Sequence, residues 1–163
     1  MKLFLLQILG LTMALSAGTA FAQDRYSTSA DGQEVTDSKT GLVWRRCVEG
    51  MNWKVKTCSG KAGFFNQADA AARAKNEAAS SGQAWRLPTL KELSGIVSAR
   101  EASPDEGRAA IDPAAFPATP LARFWTSSSV GTGYFMHVAF TEGSAGESPR
   151  SSPGAVRLVR AGK

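Results

Sequence analysis

Trp85-Arg86-Leu87-Pro88-Thr89-Leu90-Lys91-Glu92-Leu93 spells the start of a helix, and what flanks it decides the fold. Pro88 crowds the backbone before it and keeps Leu87 extended. Thr89 is placed to cap the next turn, and Glu92, three positions on, gives the spacing of a capping box. Leu90, Leu93, Ile96 and Val97 then recur at helical spacing, which predicts an amphipathic helix over about 90–100.

Upstream, the stretch 66–80 predicts another helix. Asn66 is its N-cap, alanine dominates its interior and Gly82 ends it. Ala68, Ala71, Ala72 and Ala79 are expected to form a slim packing face, with Asp69, Arg73 and Glu77 as a ladder of surface ion pairs. Before that, Val35, the turn residues Asp37-Ser38-Lys39-Thr40-Gly41 and Leu42-Val43-Trp44 predict a β-hairpin. Residues 23–33 read as a loose polar lead, and 48–63 as an irregular loop.

Downstream, four prolines in 101–123 forbid a long helix or a central strand. That segment reads as a wrap pinned by Ile111, Phe116 and Leu121. Phe124 to Ser127 and Tyr134 to Thr141 predict strands, 144–154 a flexible Ser/Gly/Pro stretch, and 155–160 a closing strand. Helices in the middle and strands at both ends give an α+β fold with a small antiparallel sheet and two helices, the terminal strands meeting in one sheet.

Residues 1–22 read as an export signal. Lys2 leads an apolar run too short to span a bilayer, and Ala20-Phe21-Ala22 fits a cleavage site; the alternative is an uncleaved anchor. The expectation is a soluble, exported chain, periplasmic or extracellular, with no stable membrane insertion after signal removal. Residues 1–22 carry one Lys and no acid, so the formal charge falls from +5 to +4 without them. Two cysteines in an exported chain, Cys47 and Cys58, predict one disulfide worth roughly 2–3 kcal/mol; a free catalytic thiol is the alternative.

Asp37-x-x-Thr40-Gly41-Leu42-x-Trp44, Trp85 to Thr89 with Glu92-Leu93, Ile111-Asp112, Phe116-Pro117, Phe124 to Ser128 and Val156 to Arg160 come in an order that resembles the Lcl C-terminal domain family. The resemblance covers 34–160. It implies a C-type-lectin-like α+β fold on an exported or surface protein, and binding of sulfated glycans as in the adhesin that names the family. The element Arg86-Leu87-Pro88-Thr89-x-x-Glu92 also resembles a segment of formylglycine-generating enzymes, whose paired active-site cysteines have no counterpart here. The chain lacks a collagen-like repeat and the Glu-Pro-Asn and Trp-Asn-Asp triplets of calcium-dependent lectins.

Chemistry is sparse. His137 is the only histidine and has no nucleophile or acid partner in the sequence, and a single histidine leaves zinc short of ligands. Ser127-Ser128-Ser129 lacks a nucleophile elbow, and Asp105, Glu106 and Asp112 match no calcium loop. No catalytic residue, metal site or cofactor is assigned. Trp44, Trp85 and Trp125 are expected in the core. Arg46, Trp53, Lys54, Lys56 and Lys61 form the candidate ligand-binding set: cations for sulfate or carboxylate groups and an indole for a sugar face. The expected role is a non-enzymatic module binding anionic polysaccharide in surface adhesion. A structural or assembly subunit that binds a surface protein is the alternative. The export signal argues against nucleic acid, and neither helix is basic enough for a membrane surface.

Overall fold

A computed structural model describes residues 24–162; the stretch read as an export signal lies outside the described residues. β1 (Tyr26–Thr28), β2 (Glu34–Asp37) and β3 (Leu42–Arg45) form an antiparallel meander. The β2–β3 turn follows the sequence: Gly41 has φ 70° and its N–H donates to the Asp37 carbonyl at 2.8 Å. The lead expected to be loose is ordered over its described residues, 24–33. β1 is an edge strand, and Tyr26 meets Phe116 edge-on at 5.3 Å. Three residues are too few to show an alternation, so β1 left no periodic trace in the sequence.

β4 (Met51–Lys54) and β5 (Thr57–Gly60) form a second hairpin where an irregular loop was expected. α1 (Gln67–Ser81) is capped as predicted: Asn66 accepts from the Asp69 N–H at 3.0 Å, and Gly82 closes the helix at φ 65°. Its buried face is Gln67, Ala70 and Ala74, with Ala71 and Ala78 partly covered, whereas Ala68, Ala72 and Ala79 are exposed. Alanine all round a helix gives no apolar contrast, so the pattern could not set the phase. The ion-pair ladder also dissolves: Glu77 bonds Arg45, Asp69 serves the cap, and Arg73 lies over Phe65 at 4.7 Å.

The capping box opens α2 (Leu90–Gly95), with the Glu92 N–H donating to Thr89 Oγ1 at 3.3 Å and the Thr89 N–H to Glu92 Oε2 at 2.8 Å. The helix stops short of the expected 100. Beyond it Val97 bridges Ile111, and the Ser98 N–H donates to the Ala110 carbonyl at 2.9 Å, so the backbone is already paired elsewhere. In the wrap, Ile111 and Phe116 are buried, but Leu121 is 38 % exposed and pins nothing.

β6 (Arg123–Val130), β7 (Tyr134–Ala139) and β8 (Ser144–Pro149) make a three-stranded antiparallel sheet. β8 replaces the expected flexible stretch. Its Gly146 lies opposite His137, where a Cβ would come within 3.0 Å of the imidazole, so a residue that weakens strands is the one that fits. β9 (Val159–Ala161) pairs antiparallel with β3, and the ends of the domain meet in the sheet β1-β2-β3-β9. Among the described residues the fold is therefore α+β, with two α-helices, three antiparallel sheets in place of one small sheet, and one disulfide.

One buried cluster contains Trp44, Leu93, Ile96, Phe116, Phe124 and Phe140. The other gathers Val43, Ala70, Ala74, Trp85, Leu87 and Trp125. Neighbouring residues of one strand, Val43 and Trp44, divide between the clusters, so this sheet is covered on both faces. All three motif tryptophans lie in these cores, each no more than 3 % exposed.

Candidate functional site

The hairpin β4–β5 carries most of the candidate ligand-binding residues. It stands on the Cys47–Cys58 disulfide, whose Cα atoms are 5.4 Å apart, and Cys58 sits opposite Trp53 in the register. Gly50, at φ 91°, makes the base: a Cβ there would come within 2.7 Å of the Lys61 carbonyl and the Gly63 N–H. The tip is Val55-Lys56. Val55 is 93 % exposed at φ 58°, a conformation a β-branched residue adopts only at a cost of about 1–2 kcal/mol.

Arg46 does not reach this surface. It is 7 % exposed, and its guanidinium donates to the carbonyls of Ala115 at 2.9 Å, Gly32 at 3.1 Å and Ala114 at 2.7 Å. It also lies 4.2 Å from the Trp53 ring, and burial lowers its pKa from the ordinary arginine value. Gly32 packs against the same indole so closely that a Cβ would fall 2.5 Å from Nε1. Arg46 thus orients Trp53, which is half-buried, and ties the hairpin to the 113–116 wrap.

Lys54, Lys56 and Lys61 are exposed and make no ion pair among the described residues. The fold spends the neighbouring arginine internally: Arg45 bonds Glu77 and lies over Trp85 at 4.6 Å, and Arg160 reaches the same ring at 5.1 Å while donating to Glu34 Oε2 at 2.6 Å. Glu49 and Glu77 line a small polar cleft of about 250 Å³ beside Trp53. Burial, and then the charge of Glu77, push the Glu49 carboxyl above its usual range. The arrangement gives solvent-facing lysines on one braced hairpin, with the acids withdrawn to its flank.

Two residues that the sequence did not single out line a different cleft: Gln67, at the N-terminus of α1, and Arg150, just after β8. Gln67 was findable, because it precedes Ala70 and Ala74 at i+3 and i+7 and so shares their buried face. Arg150 lies in a Ser/Pro-rich stretch with no pattern. His137 is 8 % exposed, with Nδ1 3.2 Å from Ser148 Oγ. Burial, and then the Arg123 charge, hold its pKa below the usual histidine range. No group of three or more His, Cys, Asp or Glu able to hold a metal ion occurs among the described residues. No described helix is long and apolar enough to cross a membrane.

The disulfide brace has a measurable weight. Replacing both cysteines, Cys47→Ser with Cys58→Ser, is expected to lower stability by about 3 kcal/mol, the loop-closure term for so short a loop. Urea denaturation of the parent and the double variant measures it; equal midpoints would mean that the hairpin does not depend on the bridge.

A comparison with curated proteins finds no match. The family comparison does: the profile of the Lcl C-terminal domain matches residues 33–160, from the start of β2 to the last strand. That span takes in both hairpins, both α-helices and every described strand except β1, with β9 up to Arg160, and on it the chain belongs to the Lcl C-terminal domain family.

Proposed function

We propose that this protein is an exported, non-enzymatic binding module that recognises anionic carbohydrate through the β4–β5 hairpin. The reading takes residues 1–22 as a cleaved export signal and the domain as C-type-lectin-like, as the family resemblance implies. One observation carries it: Lys54, Lys56 and Lys61 are exposed cations without carboxylate partners among the described residues, on a hairpin fixed by a disulfide. Cations with no internal partner are available to sulfate or carboxylate groups, and a braced scaffold lowers the entropy lost on binding. Arg46 serves this surface indirectly, by holding Trp53.

Heparin chromatography tests it. The purified protein should be retained at low salt and released by a salt gradient, since exposed charge pairs are screened within about 8 Å at physiological ionic strength. The triple variant Lys54→Ala, Lys56→Ala, Lys61→Ala should bind roughly 10–100-fold more weakly, from three exposed pairs at about 0.5–1 kcal/mol each. A control variant removes three lysines or arginines elsewhere on the surface. Equal retention of the two variants would show only a net-charge effect and reject the hairpin as the site. Arg46→Ala is a poor probe, because it unpairs three carbonyls.

A further inference from the structure

A second cleft, about 590 Å³ in volume, opens between the first turns of α1, the sheet β6–β7 and the turn after β8. It shares no lining residue with the cleft beside Trp53. Its walls include Ala68, Ala71, Leu87 and the Phe135 ring. A volume of this size and an apolar lining suit a side chain with a short length of backbone.

Two polar groups stand out in that lining. Gln67 is 5 % exposed; its Nε2 donates to the Thr126 carbonyl at 2.9 Å, which assigns the amide, and leaves Oε1 buried with no partner. No other residue lining the cleft carries a buried polar side-chain atom without a partner. Such an atom is costly to leave unmet, and it can only accept. The other group is Arg150, exposed and without a carboxylate partner among the described residues. Its backbone is held on both sides: its N–H donates to the Gly133 carbonyl at 2.8 Å, and its carbonyl accepts from the Gln67 N–H at 2.9 Å. The guanidinium therefore hangs from a fixed point at the cleft.

An apolar body, an N–H donor and a carboxylate at one end answer all three features together. A fatty acid lacks the donor for Gln67, and a sugar lacks the apolar body for the walls. We propose that this cleft binds the carboxy-terminal residue of a polypeptide ending in an apolar side chain. The side chain lies against Leu87 and Phe135, the terminal carboxylate pairs with Arg150, and a backbone N–H donates to Gln67 Oε1.

The test is an ¹⁵N-resolved NMR titration of the purified protein with acetyl-Ala-Ala-Phe as free acid and as terminal amide. The free acid should shift the amide signals of Gln67, Ala71, Phe135 and Arg150 and bind at least tenfold more tightly than the amide. Arg150→Gln, at an exposed side chain, should erase that preference, and Ala71→Leu should block binding by filling the cleft. Equal binding of acid and amide, shifts confined to other surfaces, or no binding at millimolar peptide would each overturn the proposal. Acetyl-phenylalanine binding as tightly as the tripeptide would keep the chemistry and give its source as a free acylated amino acid. Heparin retention is read on a different surface, so either proposal can fail while the other stands.

Discussion

Arg157→Ala should lower the stability of the domain by about 3–5 kcal/mol, more than any change on its surface. Arg157 lies between Val156 and Leu158 and is 1 % exposed. No carboxylate pairs with it among the described residues. Its Nη1 donates to the carbonyls of Arg45, at 2.9 Å, and Arg46, and its Nη2 to Thr119 Oγ1 at 2.8 Å. The guanidinium lies 4.8 Å from the Phe116 ring and 5.8 Å from that of Phe124. Burial pushes its pKa down to about 9, still well above neutrality, so it is a buried cation at pH 7. Its charge is met by carbonyl dipoles, a hydroxyl and aromatic faces, and Nε has no hydrogen-bond partner. Truncation to alanine leaves two carbonyls unmet and a cavity between two phenylalanines. Thermal unfolding should move down by roughly 10–20 °C. Arg157→Lys should be nearly as damaging, because a lysine ammonium does not reproduce the fork that reaches strand β3 and the wrap together. Arg157→Met fills the space and should be milder than alanine. If alanine and methionine both stayed within about 1 kcal/mol of the parent, the guanidinium would not be joining these elements.

Asp37→Ala should cost about 2–4 kcal/mol at pH 7, and the loss should shrink in acid. Asp37 is fully buried and accepts four bonds: from Arg25 Nε at 2.9 Å and Nη2 at 2.8 Å, the Lys39 N–H at 3.0 Å and Thr40 Oγ1 at 3.0 Å. Burial alone would raise its pKa, but the bonds from Arg25, Thr40 and Lys39 outweigh it and hold the carboxyl below the usual aspartate range. A folded-state pKa lower than the unfolded one, near 4, stabilises the fold above that pH. The contribution is lost as pH falls through the folded value. Arg25 is one-third exposed and regains water when unpaired, which keeps the cost toward the low end. Urea midpoints of parent and variant at pH 7 and at pH 2.5 decide it. A gap of the same size at both would mean that the Asp37 charge contributes nothing.

Elements written in local chemistry were legible. The capping box at Thr89, the Asn66 and Gly82 caps, the Gly41 turn and the disulfide each depend on a few residues near in sequence, and each stands where expected. The order of elements, helices in the middle and strands at both ends, extended this to the meeting of the terminal strands. What was not legible depends on partners distant in sequence. β8 holds Gly and Pro, poor strand formers, and forms because β7 offers a ladder. β4–β5 turns at Val55-Lys56 with no Asn-Gly or Asp-Gly signal, and the disulfide supplies the closure. At the candidate site, sequence placed five residues in one stretch, from the hairpin end at Arg46 to Lys61, but the identity of a cation does not say which way it faces. Arg46 turned inward to three carbonyls, and the lysines remained outside.

The segment from Gly154 to Ala161 touches nearly every part of the domain. It bridges Phe65 through Gly154, Phe124 through Ala155 and Arg86 through Val159, and its carbonyls at Val156 and Leu158 accept from Glu49 and Arg45. These contacts join residues separated by up to about two-thirds of the chain, so closing them carries a large loop entropy before any contact repays it. Order of synthesis then matters. A nascent chain has its hairpins and helices in hand but no seam to hold them until its final strand emerges. The domain therefore cannot complete its fold until residues 154–161 have been made and have joined their distant partners.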